Sequence, residues 1–151
     1  MSTRSATIIR QTIYYGETPN TEELMRFYRQ CDGYPEGHGM QMALAVTEAD
    51  KDAMPEACWM STVLYEFFKM DSAVHIEFEP FGCEHGDIVF LYVVEGIVDH
   101  PWGKTKDGKL PVTISVYKHS WNEPYISTEL NSEPIFSGTA YEYIEKFGKG
   151  A

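Results

Sequence analysis

Residues 74–80 alternate strictly: Val74, Ile76 and Phe78 fall on one side, His75, Glu77 and Glu79 on the other. A period of two is that of a sheet strand with one wet face. Residues 112–118 repeat the pattern with Val112, Ile114 and Val116 inward. Residues 87–95 are apolar on both faces, as in a central strand. Residues 6–15 are rich in β-branched and aromatic side chains and close at Gly16, which predicts a further strand. The period changes in 55–70. There Met60, Val63, Leu64 and Phe67 make one helical stripe behind Pro55. Met40, Ala43 and Leu44 predict a helix over 40–49. Thr139 followed by Glu142 is a capping-box pattern that opens a last helix over 139–147, ended by Gly148.

Two stretches resist this reading. Residues 21–31 fit a helix through Leu24, Phe27, Tyr28 and Cys31, and a strand through Met25, Phe27 and Arg29. Residues 96–111 and 119–138 read as irregular connections. The order of strands, helices, strands and helix predicts one α+β domain over residues 1–151. Its expected form is a mainly antiparallel sheet of about five strands, with helices packed on one face. The expected buried set is Val63, Leu64, Phe67, Ile76, Phe78, Leu91, Val93, Val112, Ile114 and Val116.

Composition narrows the class. Apolar residues at 43% and charged residues at 23% suit a globular chain and exclude disorder or a coiled coil. Three cysteines without CxxC spacing, Cys31, Cys58 and Cys83, argue for a reducing compartment, so a cytoplasmic protein is expected. No apolar run is long enough to span a membrane.

Charge changes the picture more. The net charge is −11, and its excess comes from the middle of the chain. Residues 30–103 carry fourteen acids against Lys51 and Lys69 alone. Direct nucleic-acid binding is disfavoured, because phosphate contacts need clustered Lys and Arg. An acidic face that docks on a basic protein surface is the positive reading. Its candidate residues are Glu77, Glu79, Glu84 and Asp87.

The loop Asp32-Gly-Tyr-Pro-Glu-Gly-His-Gly39 holds three Gly and one Pro in eight residues. As a plain connection it requires positive φ at Gly33 and Gly37. As a site it offers Asp32 and Glu36 as carboxylates and His38 as a general base. The only basic cluster is Arg4, Arg10, Arg26 and Arg29. Arg4 and Arg29 with Tyr28, Asp32, Tyr34 and His38 form a candidate grip for a small nucleotide. Cys83 and His85, joined in space by Asp32 and His38, make a metal-assisted hydrolase the third option, although paired metal-ligand spacings are absent. His75, His100 and His119 stand alone and read as surface or internally satisfied residues. No signature of a known catalytic motif is present and no cofactor is implied.

Ser2-Thr-Arg-Ser5 and Phe27-Tyr-Arg-Gln-Cys-Asp-Gly-Tyr-Pro-Glu36 resemble a family of small proteins of tailed bacteriophages and prophages. The run from Ala57 to Phe68 and then from His75 to Val94 is similar to that family's helix, strand, His-Gly-Asp turn and Tyr-containing strand. The family mostly carries no assigned function. The resemblance implies a phage context, and it implies a strand over 23–31 paired with 6–15. Family members often have His-Trp or His-Tyr before Asp-Gly-Tyr-Pro; here the pair is Gln30-Cys31, which removes a candidate catalytic His. The expected function is inhibition of a host protein by binding, with a nucleotide sponge and a hydrolase as rivals.

Overall fold

The β-branched run within Ser5–Tyr15 forms a strand, β1, whose first half, Ser5 to Ile9, is buried on both faces. The computed structural model describes residues 3–15, 17–52, 67, 76–78, 86–99, 112–120 and 123–148. Strand β1 turns back into β2 (Thr18–Arg29), its antiparallel partner, with a register irregularity after Ile9. A π-helical turn (Pro35–Gly39) then runs directly into helix α1 (Met40–Asp52). Strand β3 (Ile76–Phe78) pairs antiparallel with the end of β2. Strand β4 (Phe90–Asp99) lies on the other side of β1 and runs parallel to it. Next come β5 (Val112–Lys118), helix α2 (Tyr125–Asn131), β6 (Phe136–Thr139) and helix α3 (Ala140–Gly148).

These elements form one α+β domain around a six-stranded sheet of order β3-β2-β1-β4-β5-β6. The sheet is antiparallel except at the central β1–β4 pair. The strand expected over 23–31 is present as Thr18–Arg29, beginning earlier and ending before Gln30. The sixth strand, β6, and helix α2 both lie in the stretch read as irregular. The expected helix over 55–70 lies outside the described residues apart from Phe67, which is helical and buried.

Period-two alternation divides the core into two layers. Ile9, Phe27, Tyr92, Val94, Val112, Ile114 and Val116 pack with Phe67, α1 and α3 on one face. Ala6, Ile8, Tyr28, Leu91 and Val93 pack with Ile88 and Tyr125 on the other. Leu91 and Val93 are therefore buried as expected, but away from Val112, Ile114 and Val116, and helix α2 covers their side of the sheet. Each fully buried side chain of this kind stabilises the fold by about 1.5–3 kcal/mol. Val63 and Leu64 lie outside the described residues, as do the side chains of Ile76 and Phe78.

Helix α3 starts as its sequence predicts. The Thr139 N–H donates to Glu142 Oε1 at 2.9 Å, and the Glu142 N–H donates to Thr139 Oγ1 at 3.2 Å. This reciprocal pair satisfies two N–H groups that a helix start leaves without helical partners. The same contacts hold the Glu142 carboxyl below its usual range.

Candidate functional site

The Asp32–Gly39 segment is folded against the sheet. The Gly33 N–H donates to Thr3 O, the Gly37 N–H to Tyr34 O, and the His38 N–H to Asp32 O, each at 2.9 Å. The left-handed residue is Asp32, with φ 58°, and neither Gly33 nor Gly37 adopts positive φ. Asp is among the few non-glycine residues that visit this region readily. Glycine is needed at 37 and 39 for closeness instead. A Cβ on Gly37 would stand 2.6 Å from the Asp32 carbonyl oxygen, and one on Gly39 would overlap the Tyr143 hydroxyl.

The π turn carries His38 into the interior, where it has no exposed surface. Its ring lies edge-on to Phe67 and Tyr92, with centroids 5.5 and 5.1 Å away. Arg29 is 3% exposed and reaches Nδ1 of His38 through Nη1 at 3.1 Å. A guanidinium only donates, so Nδ1 is the acceptor and the proton sits on Nε2. Nε2 then donates to Thr7 Oγ1 at 2.7 Å, and the Thr7 hydroxyl is directed to Met42 Sδ at 3.8 Å. Arg29 also donates to the Cys31 carbonyl at 2.6 Å and to Gln41 Oε1 at 2.5 Å. Burial, reinforced by the Arg29 charge, lowers His38 to a pKa of about 3. A group neutral to that depth, with both ring nitrogens engaged, is a cross-brace between β1, β2 and α1. It is not placed as a general base.

Two tyrosines complete the brace. Tyr92 donates to Gly33 O and Tyr143 donates to Pro35 O, each at 2.7 Å. Burial raises both phenols well above their usual range. Thr7, Gln41, Tyr92 and Tyr143 carry no local sequence mark of this role, because their partners lie far along the chain.

The candidate nucleotide grip is distributed over several places. Arg29 and His38 are in contact, whereas Tyr28 is buried in the layer on the opposite face. Asp32 and Tyr34 are exposed. Arg4 pairs with Asp87 at 3.2 Å, both partly exposed. Of the acidic candidates, Glu77 stands opposite Tyr28 in the outer strand β3. Glu79 and Glu84 lie outside the described residues, as do Cys83 and His85 of the hydrolase reading. Cys31 is exposed. Among the described residues, no group of three or more His, Cys, Asp or Glu is placed to hold a metal ion. None of their helices is long and apolar enough to cross a membrane.

A second polar tie holds α2 to the sheet. Arg10 forms a two-pronged ion pair with Glu129, one contact at 2.6 Å. That hydrogen bond raises the Arg10 pKa. His119, buried, shares a 2.6 Å hydrogen bond with Thr128 and stands edge-on to Tyr125. A scan against protein-family models and searches of curated proteins and of solved structures find no match for this chain.

Proposed function

We propose that this is an accessory protein of a tailed bacteriophage or prophage that acts by binding a host protein through an acidic surface. The observation that carries the reading is the charge asymmetry of the chain, with fourteen acids against two lysines in residues 30–103. Strand β3, at one edge of the sheet, belongs to that segment and includes Glu77. The complementary target is a basic groove built for nucleic acid, as in a nuclease or a CRISPR-type defence effector. The internal engagement of His38 with Arg29 and Thr7 supports binding over catalysis, since the loop's one imidazole holds the fold together.

Affinity capture from host lysate over a salt series tests this. The wild-type protein should retain a basic host protein and release it steeply as salt rises. The double variant Glu77→Lys with Glu79→Lys should fold normally and lose most of that capture. Unchanged capture with an unchanged salt response would remove β3 from the docking surface. Capture of nothing, together with a melting temperature raised by a small nucleotide, would replace the reading with a nucleotide sponge.

A further inference from the structure

Helix α2 is anchored on one side and bare on the other. Tyr125 and Thr128 are buried, and Glu129 is clamped by Arg10. Ile126 is 66% exposed and Leu130 is 76% exposed. These two residues are four apart, so they sit one turn from each other on the same face, with Cβ atoms about 5–6 Å apart. Apolar side chains held outward on a helix whose inner face is fixed by core contacts are a built ridge, unlike a frayed end.

Arg10 neutralises Glu129 on the inner side of α2 and Arg26 lies over the Tyr125 ring, so the exposed charges that the segment itself contributes are acidic. From Glu123 to Ser137 the chain contains Glu123, Glu129 and Glu133 and no Lys or Arg. Glu123 and Glu133 are exposed. A second copy of this chain would set one acidic rim against another, which opposes self-association. A partner with basic flanks meets the rim favourably.

We propose that α2 is a docking ridge for an amphipathic basic helix of another protein. Ile126 and Leu130 enter the apolar stripe of that helix, and Glu123 and Glu133 meet the Lys or Arg residues beside it. The ridge does not depend on the acidic segment around Glu77, and it is tested separately.

The test uses the intact protein and three synthetic helical peptides. The first has a leucine stripe flanked by lysines, the second the same stripe flanked by glutamates, and the third lysines without the stripe. Calorimetric titration should show binding of the first alone. Ile126→Ser with Leu130→Ser should weaken it at least tenfold with an unchanged melting temperature, and Glu123→Lys with Glu133→Lys should weaken it severalfold. If the double serine variant does not fold, Leu130→Gln alone should still show a clear loss. The Glu77→Lys, Glu79→Lys variant should bind the first peptide as the wild type does. Equal binding by the serine variant, equal binding of the acidic peptide, or no binding of any peptide overturns the proposal. So does a wild-type dimer in sedimentation that the serine variant dissolves, which would make a second copy the occupant.

Discussion

Arg29 donates to Nδ1 of His38 across 3.1 Å inside the domain, so a permanent cation lies against an imidazole that must stay neutral. The pair joins the end of β2 to the π turn that starts α1. It converts a glycine-rich loop into a fixed part of the core.

Stability should therefore fall in acid. Below about pH 6.5 the unfolded chain protonates at this position, while native His38 resists until about pH 3. Between those values the unfolded state binds more protons, so stability is lost as pH falls. The slope attributable to one such group is at most about 1.4 kcal/mol per pH unit. Urea unfolding at pH 7, 5.5 and 4 should show the deficit of His38→Gln relative to wild type shrinking at each step. A deficit constant with pH would mean that His38 does not set the acid limb.

Gly39→Ala should destabilise the protein by about 1–3 kcal/mol, the usual cost of overpacking. The added methyl group meets the Tyr143 hydroxyl. In a Tyr143→Ala background the same change should cost less. Additive penalties in this double-mutant cycle would show that Tyr143 is not the obstruction.

Asp32→Gly should be close to neutral, because glycine accepts φ 58° without strain. Asp32→Val should cost about 1–2 kcal/mol, since a β-branched side chain is poorly accommodated there. Thermal unfolding of the two variants distinguishes this backbone effect from a role of the carboxylate, which would make both variants equally weak.

Arg10→Met and Glu129→Gln should each loosen α2, and their coupling energy should be about 1–2 kcal/mol for a partly buried ion pair, between surface and buried values. Hydrogen exchange should rise in residues 125–131 of either variant and leave β1 and β4 protected. Protection unchanged in α2 would mean that Tyr125 and Thr128 alone hold the helix.

Leu91→Ala should cost about 2–5 kcal/mol, as for a fully packed leucine. A loss below about 1 kcal/mol in chemical denaturation would mean that the layer beneath α2 is loosely packed.

The fold was legible where one period dominates. Alternation identified β3 and β5, a run apolar on both faces identified β4, β-branched and aromatic content identified β1, and the Thr139–Glu142 box identified the start of α3. Thr18–Glu22 was missed because those residues are exposed throughout, so no alternation marks them as strand. Helix α2 was missed because seven residues bracketed by Pro124 and Pro134 supply only Tyr125 and Thr128 as inward positions. The brace around His38 was hidden for a different reason. Its partners Thr7, Arg29 and Gln41 come from three elements, and nothing in a local window shows that Gly37 and Gly39 serve closeness rather than a wet, flexible loop. The acidic middle segment was plain from composition, but the register that sets Glu77 opposite Tyr28 was not.

The parallel contact between β1 and β4 also sets an order of events during folding. The hairpin of β1 and β2 is local and should close first, whereas the inner edge of β1 has its partner only when the stretch pairing Ser5 with Phe90 through Tyr14 with Asp99 is in place. Until that remote closure the hairpin presents unpaired amide and carbonyl groups along an apolar edge, an aggregation hazard for nascent chains. Refolding should thus be governed by the slow search that joins β4 to a preformed hairpin, on the timescale of nonlocal sheets rather than of helices.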